Sequence, residues 1–196
     1  MSITRFLSYS IGLAALLTVS ATRAAAQDPE VPVDLQVRLL YKIVSFDRNL
    51  GARTAGDPLV FAILYQKGFR ASSTTRLQVD DAARGESHGL NRPVRWVTIE
   101  LEETPDLGSA LRSNAVDILY VTPLRGTDIR RIVEATRANQ VTSFAGVPSY
   151  LERGLAVAVG LERGRPRILI NLTAARAEGA DFSSQLLQMA TVVGED

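Results

Sequence analysis

From Asp34 to about Phe46 the apolar residues fall on two neighbouring helical stripes, Val37, Leu40, Tyr41 and Val44 beside Leu35, Leu39, Ile43 and Phe46. Gln36, Arg38, Lys42 and Ser45 form only a thin polar edge. With Asp34 as N-cap, this predicts a helix that is either buried against its own domain, the favoured reading, or half of an interface. In the second case Leu40, Tyr41 and Val44 are the partner-binding residues. The pattern then changes. Arg48–Asp57 is Gly-rich and polar, a loop, and Leu59–Tyr65 is an unbroken apolar run bounded by Pro58 and Gly68, which marks a strand buried on both faces of a helix-covered parallel sheet. Residues 70–83 predict a helix, Gly85–Pro93 a loop, Val94–Leu101 a second strand, Leu107–Ser113 a short helix and Val116–Val121 a third strand. A helix capped by Thr127 or Asp128 runs to about Ala138 with Ile129, Ile132 and Val133 on one face, and Val141–Phe144 is a fourth strand. Strand–helix alternation at this spacing calls for right-handed crossovers.

The C-terminal quarter reads differently. Leu155, Val157, Val159 and Leu161 alternate with Ala156, Ala158 and Gly160, predicting a strand with a bulky core face and a small, close-packing face. Glu162-Arg163-Gly164-Arg165 turns the chain, with Gly164 supplying positive φ, and Arg167–Leu172 returns antiparallel beyond Pro166. A short helix stopped by Gly179 follows, then Asp181-Phe182-Ser183-Ser184 and a last amphipathic helix. The expected fold is a single α/β domain: a mainly parallel sheet flanked by helices, a C-terminal antiparallel hairpin and Rossmann-like topology.

Composition adds an address. Arg5, the apolar run Ile11–Val19 and Ala24-Ala25-Ala26 read as a signal peptide over residues 1–26, cleaved after Ala26, with residues 27–196 as the exported, periplasmic domain. The chain has no cysteine, so neither a lipid-anchored lipoprotein nor a disulfide staple is available. Loss of Arg5 and Arg23 leaves the mature chain close to neutral, which points away from nucleic acid or an anionic membrane as partner.

No catalytic, cofactor or metal site emerges. Tyr65-Gln66-Lys67-Gly68-Phe69-Arg70, after the first strand, lacks the repeated glycines of a phosphate-binding loop. His88 is the only histidine and reads as a solvated loop residue. The neighbours Asp80-Asp81 and Glu102-Glu103 read as surface pairs, because adjacent side chains on a helix or strand point apart. Arg163, Arg165 and Arg167 straddle the hairpin turn, either to receive an anionic partner or to keep an edge hairpin soluble, the favoured reading. Asn171-Leu172-Thr173 matches a glycosylation sequon, but at a strand-to-helix junction Asn171 is better explained as a cap.

Three segments together resemble the YfiR family of bacterial periplasmic regulators (HmsC-like): Tyr150-Leu151-Glu152-Arg153-Gly154 before a hydrophobic strand, the turn and strand from Arg163 to Asn171, and Gly179-Ala180-Asp181-Phe182-Ser183-Ser184-Gln185-Leu186-Leu187. Gly154, Gly164, Asn171, Ser183 and Ser184 are the framework residues of this likeness. The resemblance implies a homodimeric α/β protein that acts by binding. Its implied partner is the ectodomain of a membrane-bound diguanylate cyclase or related sensor, which it restrains, lowering cyclic diguanylate signalling and biofilm formation. The chain departs from the family pattern in lacking cysteines, in Ser45-Phe46-Asp47-Arg48 where relatives commonly place an aromatic followed by Trp-Pro, and in Leu155 after Gly154. A different class of function, a periplasmic small-solute-binding module, would place its solute at the strand ends around Tyr65–Phe69 and Thr122–Thr127.

Overall fold

A computed structural model describes residues 31–194 except 55, 57, 85–89 and 91. The segment read as a signal peptide, and His88, lie outside the described residues. The elements in chain order are α1 (Val33–Val44), α2 (Leu50–Arg53), β1 (Leu59–Tyr65), α3 (Arg70–Arg84), β2 (Val94–Glu100), α4 (Leu107–Ser113), β3 (Ile118–Val121), α5 (Ile129–Asn139), β4 (Thr142–Ala145), α6 (Ser149–Glu152), β5 (Val157–Glu162), β6 (Arg165–Asn171), α7 (Leu172–Ala177), α8 (Ser184–Met189) and β7 (Thr191–Val193).

One seven-stranded sheet runs in the order β2-β1-β3-β4-β5-β6-β7. Strands β1 to β5 are mutually parallel, β6 returns antiparallel to β5, and β7 lies parallel to β6. Alternate side chains of β1 sort to two cores. Leu59, Phe61 and Ile63 pack beneath α1, α3, α7 and α8; Val60, Ala62 and Leu64 pack beneath α4, α5 and α6. This is the doubly wound arrangement that the buried first strand predicts, with an antiparallel hairpin appended.

Several boundaries and elements differ from the sequence expectation. The third strand starts at Ile118 because the Val116 N–H is still bonded back to the Leu111 carbonyl of α4; Asp117, next in the chain, accepts the Val60 N–H on its side chain at 2.8 Å. The polar stretch after α1 contains α2, and α6 precedes β5; four residues each is too short for a helical period to register. The last helix stops at Met189, and the chain then adds β7 beside Leu169–Asn171. The alternation from Leu155 to Leu161 does not hold as one face. Leu155 precedes the strand and packs in the α4–α6 core with neither Val157 nor Val159, while Leu161 lies past the helical cover and is 43 % exposed.

Candidate functional site

The strand order 2-1-3-4-5 reverses between β1 and β3, and an open α/β sheet offers a crevice at that point. Here the chain's own side chains occupy the groups that a solute would use. Gln66 spans the gap: its Oε1 accepts the Arg125 N–H at 2.9 Å and its Nε2 donates to the Arg125 carbonyl at 3.2 Å. Ser72 Oγ accepts the Gln66 N–H at 2.7 Å and lies 2.6 Å from Thr122 Oγ1. Glu102 accepts the Lys67 and Gly68 N–H groups at 3.1 and 3.4 Å, and the Tyr150 hydroxyl accepts the Leu124 N–H at 2.7 Å. Arg125 covers the Phe69 ring at 5.2 Å. The backbone donors of Gln66, Lys67, Gly68, Leu124 and Arg125 are thus satisfied from within. An open groove of about 820 Å³ continues from the crevice between α4 and α5, sharing Gln66, Glu102 and Thr127 with it and lined by polar residues such as Arg112 and Arg131 and by apolar ones such as Leu107 and Ile132.

Leu40, Tyr41 and Val44 do not form an exposed partner surface. Leu40 and Tyr41 are 1 % and 3 % exposed and Val44 is equally buried. The Tyr41 ring meets Phe61 edge-on at 5.3 Å and accepts the Trp96 indole N–H on its hydroxyl at 2.6 Å. The stripe Val37, Leu40, Tyr41 and Val44 is therefore used against the chain's own sheet, where Phe61 of β1 and Trp96 of β2 close around Tyr41, while Leu35, Leu39 and Phe46 stay half-buried.

Exposed apolar surface gathers instead in the C-terminal element. Met189 and Val193 are 45 % and 41 % exposed, comparable to Leu161. A depression of about 410 Å³ lies at the outer end of β5, β6 and β7, lined by Pro148, Gly160, Leu161, Leu169 and Thr191, with Glu162 and Arg167 at its rim. Gly160 lets Pro148 close on β5: a Cβ there would stand 2.7 Å from Pro148 Cγ. The hairpin turns through Arg163 at φ 50° and Gly164 at φ 75°, the two positive values of a tight two-residue turn. Pro166 sits opposite Leu161, on the part of β6 that β7 does not reach. Of the three turn arginines, Arg167 donates to Glu162 at 2.6 Å, whereas Arg163 and Arg165 are exposed.

The other residues singled out in the sequence take structural places. Asn171 caps α7 by accepting the Ala174 N–H at 2.9 Å, Ser183 caps α8 through Leu186, Ser184 opens that helix on the exposed side, and Gly154 holds φ 104° before β5. Asp80 pairs with Arg76 at 2.7 Å, and Asp81 lies 3.9 Å from Arg84. Sequence reasoning missed the buried polar groups. Arg53 and Asp47 form an ion pair at 2.7 Å with both side chains almost fully enclosed, and Glu178 is buried beside Thr136 and Ser143. A glutamate just before the glycine that ends a helix looks like any solvated helix terminus, so Glu178 carried no signal.

Fold and site together define a doubly wound α/β protein whose strand-end crevice is bridged by its own Gln66, Ser72 and Glu102 side chains. The YfiR/HmsC-like family model matches residues 33–191, and the chain belongs to that family. No curated protein matches it by sequence. Among solved structures, a conserved domain protein from Vibrio cholerae is 16 % identical at a TM-score of 0.57, covering 82 % of this chain and 60 % of its own. The ABC domain in complex with L-Trp from Streptococcus pneumonia is 12 % identical at 0.57, with 83 % and 62 % covered. A substrate binding protein with adhesive properties from Clostridium difficile, in a ligand-free, open form, is 13 % identical at 0.57, with 88 % and 66 % covered. At these identities the likeness is one of fold, and the chain spans less than two thirds of the length of each. Among the described residues no helix is long and apolar enough to cross a membrane.

Proposed function

We propose that the chain is exported to the periplasm, after cleavage behind Ala26, as a regulatory binding protein that restrains a membrane-bound diguanylate cyclase or related sensor and so lowers cyclic diguanylate signalling and biofilm formation. It acts as a homodimer and without catalysis of its own. The observation that carries this reading is the family match over 33–191. The geometry favours a protein partner over a solute, because the crevice donors at Gln66, Lys67, Gly68, Leu124 and Arg125 are already bonded within the chain. The partner's ectodomain seats on the depression around Gly160, Leu161 and Leu169, an apolar centre with a charged rim of the kind that protein interfaces use. In cells lacking this chain, cyclic diguanylate and biofilm mass rise, and expression of the exported wild type returns both to the starting level; unchanged levels in the deletion strain contradict the reading.

A second reading rests on the groove between α4 and α5, whose volume and mixed polar and apolar lining suit a small solute. Under it, the purified domain shows a rise in melting temperature with a polar metabolite, and Arg131→Ala abolishes that rise.

A further inference from the structure

Glu178 follows α7 directly and is wholly buried. Its Oε2 accepts the Ser143 N–H at 2.7 Å, the Ser143 hydroxyl lies 2.8 and 3.0 Å from its two oxygens, and the Thr136 hydroxyl is 2.7 Å from Oε1. Ser143 Oγ in turn accepts the Ala156 N–H at 2.8 Å, and the Ala156 carbonyl accepts the Asn171 N–H at 2.8 Å. One carboxyl group thereby ties the segment after the hairpin to α5, β4, the approach to β5 and the end of β6.

Among the described residues no basic group is in ion-pair contact with Glu178. Arg137 on α5 acts on it from a distance. Arg53 on α2 approaches the same end of β4, donating to Thr142 Oγ1, but is already paired with Asp47. Arg176, on α7 itself, is exposed, and β4 contributes no charged residue. A buried carboxylate in such surroundings takes up a proton in preference to holding its charge. Burial pushes the Glu178 carboxyl up to about 7, against the opposing pull of the Ser143 and Thr136 donors.

The hydrogen bonds accommodate that proton without moving the backbone. Carried on Oε1, it is donated to Thr136 Oγ1, and the Thr136 hydroxyl turns to the Val133 carbonyl, 3.1 Å away. Ser143 keeps its bonds to Oε2. When the proton leaves, the Thr136 hydroxyl turns back as a donor. A single hydroxyl rotation separates the two states.

We propose that Glu178 is a proton-binding site that couples the packing of residues 172–193 against the sheet to the pH around the protein, holding the segment firmly as the neutral acid and loosening it as the carboxylate. Because the folded chain binds this proton more tightly than the unfolded chain, the stabilisation is complete in acid and is lost as pH rises through about 7. Urea unfolding of the wild type and Glu178→Gln from pH 5 to 8.5 tests it. Relative to Glu178→Gln, the wild-type folding constant falls by up to about tenfold per pH unit between about 5 and 7 and levels off above 8; parallel curves overturn the proposal. Should Glu178→Gln not fold, carboxyl carbon NMR of the wild type decides: a Glu178 midpoint near 7 supports it, and one below 5 overturns it.

Discussion

Asp47 sits at the junction of three segments. Its Oδ2 receives Arg53 at 2.7 Å, and its Oδ1 accepts the Asn49 and Asp181 N–H groups at 3.0 and 2.9 Å. Arg53 continues the link to the Gln140 carbonyl and to Thr142 Oγ1. With both side chains enclosed, the pair is an anchor rather than a surface contact, and removing one partner strands the other charge in the interior. Asp47→Ala therefore lowers unfolding free energy by about 3–5 kcal/mol in urea titration; a loss under about 1 kcal/mol, the range of an exposed pair, contradicts the anchor role. Nothing in the sequence marks either residue. Ser45-Phe46-Asp47-Arg48 was conspicuous only as a departure from the family pattern, and Arg53 lies in a stretch that reads as a polar loop. Charge pairing across a fold depends on which segments meet, which a single sequence does not display.

At the scale of elements, legibility followed length and uniformity. The apolar run of β1 and the offsets of α5 were clear because each repeats one period over many residues, and the hairpin was clear because its turn chemistry is local. Arg163 and Gly164 both adopt positive φ, and nothing lies within 4 Å of a Cβ added at Gly164. Gly164→Val thus strains the backbone without a clash and costs about 1–2 kcal/mol, read from the shift in the urea midpoint. An unchanged midpoint means that the turn tolerates another conformation. The three-residue β7 and the four-residue α2 and α6 were illegible, since each is formed by tertiary contact and not by a pattern of its own. The apolar breadth of α1 was visible, but its partner was not: the choice between core and interface was settled by Phe61 and Trp96, which reach it from other parts of the chain.

Over the whole molecule, the doubly wound sheet places two features apart. Gln66, Ser72 and Glu102 bridge the strand-end crevice, while the turn end of β5–β6 presents Leu161 to solvent beside the depression. The candidate surface was only partly legible. Its hairpin named the family and its turn residues, yet the depression depends on Pro148 approaching Gly160 from another connection, a contact that no local pattern announces. The central claim, that this end of the sheet receives the ectodomain of a membrane protein, is tested most directly by capture from solubilised membranes. The wild-type domain, Leu161→Asp and Leu77→Asp serve as baits; Leu77 is a comparably exposed leucine on α3, away from the depression. With all three shown folded by circular dichroism, wild type and Leu77→Asp capture a cyclase or sensor, with at least a tenfold loss for Leu161→Asp. Equal capture by Leu161→Asp and the wild type would contradict that claim.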